Sequence, residues 1–148
     1  MIALRSTGEA LALGAKLAGV VRPGDIIALS GPLGAGKTSI VRGLLAALGL
    51  EEEAPSPSFA IVQPYDPPEV RLPVLHVDLY RIEDASEVEE LGLEDAQADS
   101  LLIVEWPERL GEEHWADALW FSLKPMPDGA RGLTVRVPAA WKDRWSLT

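Results

Sequence analysis

Residues 26 to 49 constrain this chain more than any other stretch. Ile26-Ile27-Ala28-Leu29 is a continuous apolar run of strand length, the kind found buried on both faces of a sheet. It leads into Gly31-Pro32-Leu33-Gly34-Ala35-Gly36-Lys37-Thr38, and Lys37 to Leu48 then reads as a helix stopped by Gly49. Strand, glycine loop closing on Lys-Thr, and helix together match the full phosphate-binding loop (P-loop) pattern in its required context. Glycines let successive backbone N–H groups turn inward as an anion nest. The helix then points its positive N-terminal end at the same spot. Lys37 is suited to neutralise terminal phosphates, and the Thr38 hydroxyl to ligate Mg²⁺. A glycine turn with an incidental lysine is the bland alternative, and it leaves the order of strand, loop and helix unexplained.

The rest of the chain is organised around that unit. Ser6-Thr7-Gly8-Glu9 fits a capping box and predicts a helix from Thr7 to Leu17 or Gly19, with Ala10, Leu11, Ala15 and Ala18 inward. Arg22-Pro23-Gly24-Asp25 reads as a turn. Glu51 to Ser58 reads as a loop, acidic and solvated over Glu51-Glu52-Glu53, and Phe59 to Gln63 as a strand. Pro64 to Pro73 holds four prolines and is expected to be irregular and mobile. Val74 to Asp78 and Leu101 to Val104 are further apolar strands, each ending at an acid, Asp78 or Glu105. Ser86 to Glu89 is a second capping box, opening a short helix closed by Gly92. Leu119 to Leu123 and Leu133 to Val137 read as late strands joined through Asp128-Gly129. Buried strands interleaved with helices predict an α/β fold of the P-loop NTPase type. Its central sheet is mostly parallel and flanked by helices, with an antiparallel C-terminal hairpin at the edge. The length of 148 residues suits a single domain spanning 1–148.

Composition narrows the function classes. Thirteen basic against 23 acidic residues give a net charge of −10, which argues against a chain that grips DNA or RNA by itself. No cysteine is present, so disulfides, thiolate zinc sites and thiol catalysis drop out. Arg5 and Glu9 precede any long apolar run, and Gly14, Lys16 and Gly19 interrupt the next one. The expectation is therefore a cytoplasmic protein with no secretory leader and no membrane span.

In open α/β sheets ligands bind at the carboxyl ends of the strands. Asp78 and Glu105 stand at two such ends. A P-loop site needs one carboxylate for the metal or its waters and one to orient an attacking water. Ser56-Pro57-Ser58-Phe59 follows the P-loop helix, where nucleotide switches often place a mobile segment. His76 shares a strand face with Asp78 and reads as a packed, hydrogen-bonded histidine. Trp106 follows Glu105 and reads on residue chemistry alone as packing. His114 reads as surface.

Four segments together resemble the TsaE (YjeE) family, the small P-loop ATPases of bacterial tRNA threonylcarbamoyladenosine synthesis. They are Gly31 to Thr38, Ser56-Pro57-Ser58-Phe59, His76-Val77-Asp78-Leu79-Tyr80-Arg81 and Val104-Glu105-Trp106-Pro107-Glu108. Ser58 stands where the family usually has threonine, which keeps the hydroxyl, and Pro32 replaces a residue that is commonly polar. The resemblance implies slow hydrolysis of ATP with Mg²⁺. It also implies action through TsaB- and TsaD-like subunits that place threonylcarbamoyl on the adenosine next to the anticodon, so tRNA is met only indirectly. On this chain it assigns nucleotide binding to Gly34, Ala35, Gly36, Lys37, Thr38, Ser39 and Trp106. It assigns the metal to Thr38 and Glu105, and catalysis to Asp78 and Glu105.

Two other readings stay open: a small-molecule P-loop kinase, and a nucleotide-gated binding module with incidental hydrolysis. A GTPase is disfavoured, because the guanine-reading N-K-x-D motif needs an asparagine and this chain has none.

Overall fold

The structure, a computed structural model, describes residues 2–32, 36–51, 62–80 and 98–145, with the single positions 82, 86, 92 and 93. Its centre is the apolar run predicted to be buried. β2 (Ile26–Ser30) lies between β5 (Leu101–Glu105) and β6 (Leu119–Pro125), parallel to both. β4 (Val74–Asp78) runs parallel to β5 on its far side. Four adjacent strands, β6-β2-β5-β4, thus point the same way, and the sheet continues antiparallel at each margin. β3 (Val62–Tyr65) closes one edge, and β7 (Arg131–Arg136) then β1 (Ile2–Leu4) close the other.

Side-chain alternation divides the core in two. Ile27, Leu29, Leu101, Ile103, Leu119 and Phe121 face α1 (Thr7–Ala18) and α2 (Lys37–Ala47). Ile26, Ala28, Leu102, Val104 and Val77 face the other way, under Ile82, Leu93 and Trp115. Among the described residues both α-helices therefore cover one face of the sheet. Trp115 closes a short 3₁₀ segment (Glu112–Trp115) on the opposite face, and its indole N–H donates to the Pro107 carbonyl at 2.9 Å.

α1 and α2 cross in backbone contact. A Cβ on Gly14 would collide with the Ile40 carbonyl and the Leu44 amide, and one on Gly43 would strike the Leu11 carbonyl. Gly14 and Gly43, costly in a helix by propensity, are here what brings α2 close to α1. That approach buries Leu13, Leu17, Ile40, Leu44 and Leu45, each worth about 1.5–3 kcal/mol relative to exposure.

Several expectations need correction. The inward face of α1 is Ala10, Leu13, Gly14, Leu17 and Ala18; Leu11 and Ala15 are exposed. The capping box forms with a shift, because the Ser6 Oγ accepts from the Glu9 N–H as expected, while Glu9 reaches back to the Arg5 N–H and not to that of Ser6. The C-terminal hairpin is not the sheet edge, since β1 adds outside β7. Three residues are too few to show a period. β3 runs through Pro64 to Tyr65, as an edge strand tolerates proline. The remainder of the proline-rich stretch is anchored: Val70 and Leu72 are buried, the Arg71 N–H donates to the Leu48 carbonyl, and its guanidinium donates to the Ala18 carbonyl. The predicted helix after Ser86 and the segment from Ser56 to Phe59 lie outside the described residues.

Candidate functional site

The carboxyl ends of β2, β5 and β4 are adjacent, and the pairing register aligns them. Leu29 pairs with Glu105, and Glu105 with Asp78. In a parallel pair, residues in register point to the same side of the sheet. His76 and Asp78 alternate with Val77 and lie on the side of Val74, the face covered by α1 and α2. The two carboxylates therefore share the face on which α2 begins, with Lys37 at its first position.

Gly36 precedes the helix with φ 103°, a left-handed conformation that favours glycine. It leaves α2 without a side-chain N-cap, so its first amides are not covered by a capping side chain. Lys37 is only 4% exposed. Its Nζ donates to the Gly31 carbonyl at 2.6 Å and lies 3.7 Å from the centroid of the Trp106 ring. Burial lowers the lysine pKa from its ordinary value, against the attraction of Glu105, Glu108 and Asp78. Thr38 and Ser39 are half-buried on the first turn of α2. Gly34 and Ala35 lie outside the described residues.

Glu105 is 3% exposed. The His76 Nε2–H donates to its Oε2 at 2.6 Å, and the histidine is itself 1% exposed. Asp78 is half-buried, and its Oδ1 accepts from the Tyr80 N–H at 2.9 Å. Burial raises the Asp78 pKa above its ordinary value. The Tyr80 N–H opposes that shift, Glu105 adds to it, and His76 and Lys37 pull it back.

Trp106 takes φ 61° and ψ 45°, the left-handed region, where a bulky residue is an outlier and carries strain. Its N–H donates to the Leu29 carbonyl, tying the end of β5 to the end of β2. The Trp106 ring that faces Lys37 also belongs to an aromatic stack: the Tyr80 ring lies 4.9 Å from it, and the Arg109 guanidinium carbon lies 5.7 Å from Tyr80. Trp106 thus joins the site directly, although its residue chemistry alone read as packing. The stacking of Tyr80 with Trp106 and Arg109 was not read from the sequence; the signals were their position just after the two acid-ended strands and, for Tyr80, its place in the segment His76 to Arg81 that resembles the family. Arg81, the other arginine there, lies outside the described residues.

Oxygen donors of this type suit a hard cation such as Mg²⁺. Among the described residues, no group of three ligating side chains stands close enough to hold a metal alone. An ion held there by a hydroxyl and one or two carboxylates would need phosphate oxygens and water to complete its shell. A depression lined by Gly49, Leu50, Glu51, Pro68 and Glu69 lies past the other end of α2 and brings no residue to this chemistry.

Parallel strands ending at a glycine loop, a buried lysine opening the next helix, and carboxylates on adjacent strand ends define a protein of the P-loop NTPase fold. The family model "Threonylcarbamoyl adenosine biosynthesis protein TsaE" matches residues 4–132, and the chain belongs to the TsaE family. It is 42% identical over 108 residues to the tRNA threonylcarbamoyladenosine biosynthesis protein TsaE of Streptomyces coelicolor, covering 72% of this chain and 73% of that one. The Bacillus subtilis protein of the same name is 35% identical over 127 residues, covering 85% and 78%. The Treponema pallidum one is 31% identical over 132 residues, covering 88% and 96%. The crystal structure of Bacillus subtilis YdiB superposes with a TM-score of 0.77 at 26% identity, covering 96% of this chain and 87% of that one. No helix among the described residues is long and apolar enough to cross a membrane.

Proposed function

We propose that this chain is the ATP-binding, Mg²⁺-dependent ATPase of the cytoplasmic machinery that installs threonylcarbamoyl on the adenosine next to the tRNA anticodon. It works through TsaB- and TsaD-like partner subunits and meets tRNA only through them. The observation that carries this reading is the register pairing of Asp78 with Glu105 on the face where Lys37 opens α2. The names of the relatives support the pathway, and the net charge of −10 supports action through proteins rather than a direct grip on tRNA.

Each residue has a task in this reading. Gly34 to Gly36 and the first amides of α2 cradle phosphates, with Ser39 on the same helical turn. Lys37 exchanges the Gly31 carbonyl and the Trp106 ring for phosphate oxygens. Thr38 and Glu105 would hold Mg²⁺, which when bound neutralises phosphate charge and orients the groups around it. Asp78 orients the attacking water, and its raised proton affinity makes it a better acceptor of the water's proton at neutral pH. Trp106 borders the nucleotide.

Lys37 is already engaged by Gly31 and Trp106, which supports slow hydrolysis by the isolated chain. An arginine supplied in cis or in trans contributes ~10³–10⁵ in rate to P-loop hydrolysis. Among the described arginines, Arg109 is exposed beside Tyr80, and Arg42 is half-buried on α2, about a turn past Thr38. Partner binding is therefore expected to raise the rate. The test is phosphate release at fixed Mg²⁺ with and without the purified partner complex. A fast basal rate that partners leave unchanged refutes the reading. ADP formed only with a small acceptor present would make the protein a kinase, and tight ATP binding without turnover would make it a gated binding module.

A further inference from the structure

His76 is a buried titratable side chain that the mechanism above leaves without a task. Its Nε2 is bonded to Glu105, while its Nδ1 is buried with no hydrogen-bond partner among the described residues. An unpaired buried nitrogen is destabilising, because it gives up its bonds to water and gains none in return. An apolar side chain of similar size would occupy the same place without that cost, so packing alone does not account for a histidine here. Burying a polar pair in place of an apolar one is often neutral or destabilising as well.

The placement of the pair suggests what the cost supports. His76 sits in the middle of β4, flanked in register by Gln63 on β3 and Ile103 on β5. From there its ring reaches forward to Glu105, the last residue of β5. The contact engages one carboxylate oxygen, Oε2, and a short bond to one oxygen restrains the side-chain torsions of the whole group. A glutamate has three such torsions, and left unrestrained it would sample several rotamers. We propose that His76 is a positioning residue: its Nε2–H fixes the Glu105 carboxylate so that the second oxygen is presented to Mg²⁺ or to a Mg²⁺-bound water. Outer hydrogen-bond partners of metal-binding carboxylates act in this way, and their loss weakens metal affinity or activity by about 10–100-fold.

This inference rests on Glu105 being the metal-side carboxylate, and the experiment separates the two. ADP binding is measured by calorimetry across a Mg²⁺ series and again in EDTA. Glutamine at position 76 can place its amide N–H where Nε2 stands; asparagine places it near Nδ1. His76→Asn is expected to raise the half-saturating Mg²⁺ concentration by about tenfold or more and to leave ADP binding in EDTA unchanged. His76→Gln should restore the wild-type Mg²⁺ dependence. Equal behaviour of the two amides, whether both normal or both impaired, overturns the proposal. If Glu105→Gln leaves the Mg²⁺ dependence intact, the assignment of Glu105 is itself wrong. A measurement on the unaltered protein covers the case in which a variant does not fold. The His76 Nε2–H resonance in proton-nitrogen NMR should move on addition of Mg²⁺ and ADP but not of ADP in EDTA, and a resonance indifferent to Mg²⁺ overturns the proposal.

Discussion

Among the described residues, two clusters of charge at least half withdrawn from solvent stand at opposite ends of β2, and they are built to opposite standards. Around Asp25, which precedes β2, every strong group is answered. Arg144 donates to both Asp25 carboxylate oxygens at 2.6 and 2.8 Å and to the Val20 carbonyl at 2.9 Å, and its guanidinium carbon lies 4.2 Å from the Trp141 ring centroid. The Asp25 hydrogen bond raises the arginine pKa further. At the other end of β2, Lys37 and Asp78 are each held in the environment that disfavours their charged form. There the His76 Nδ1 is orphaned and the Trp106 backbone is strained. The first cluster ties the C-terminal segment to the turn before β2. The second engages Lys37 with the Gly31 carbonyl and the Trp106 ring, Asp78 with the Tyr80 N–H and Glu105 with His76, in surroundings that disfavour the charge of Lys37 and of Asp78, a pattern common at functional sites.

That contrast can be broken by mutation, and the largest effect is expected at Lys37. Lys37→Met should lower ATP turnover by at least ~10²-fold, because no other described cation stands at that place. Its melting temperature should equal or exceed that of the wild type, since a disfavoured buried charge is gone. A variant that folds and hydrolyses ATP normally would remove Lys37 from the site.

Next come the carboxylates. Asp78→Asn and Glu105→Gln should each cost about 10–10³-fold in turnover. Glu105→Gln should also shift the Mg²⁺ dependence, whereas Asp78→Asn should spare nucleotide binding. Titrations of turnover and of ADP affinity against Mg²⁺ distinguish the two, and exchanged phenotypes would exchange the roles.

Arg144→Ala should do the reverse of the site variants. It leaves Asp25 without its charged partner and should cost about 1.5–3 kcal/mol of stability, read from urea denaturation. Nucleotide affinity should stay at the wild-type value; a loss of affinity at unchanged stability would join the two clusters functionally and defeat the comparison.

The smallest effect sharpens the contrast through pH. A carboxyl whose folded pKa is raised is ionised more readily in the unfolded chain. Asp78 therefore lowers stability as pH rises from the ordinary carboxylate range to its raised folded value, and the cost persists above that. Lys37 acts with the opposite sense of pH: its cost is present in full below its lowered folded pKa and fades as pH rises toward the ordinary lysine value. The melting temperature of Asp78→Asn relative to wild type should therefore climb as pH rises from about 4 to neutrality. A constant difference across that range would show that burial does not perturb Asp78.

The pattern of strand, glycine loop and helix was legible because each part has a local cause. Apolar runs of strand length need two covered faces, and β2, β4 and β5 appear at Ile26, Val74 and Leu101 as expected. The capping residue of α1 was equally plain, because a serine oxygen and an amide three residues on need only each other. β1 was not legible. Its three residues have no detectable period, and only the open edge of β7 makes them a strand. The inward face of α1 was misjudged for a related reason. Leu11 is as apolar as Leu13, and the crossing at Gly14 and Gly43 decides which of them is covered.

The same division runs through the site. The residue types of Lys37, Thr38, Asp78 and Glu105, and their positions at the ends of elements, are local properties that can be read along the chain. That Asp78 and Glu105 sit side by side depends on β4 pairing with β5 in one register and not a residue away, which would send the carboxylates to opposite faces of the sheet. The His76–Glu105 bond spans 29 residues, and the contact of Trp106 with Lys37 brings together the ends of two different elements. Long-range contacts of this kind leave no period or motif in the chain. Only the packed sheet decides them, because the hydrophobic burial that sets strand order and register is a property of the whole core.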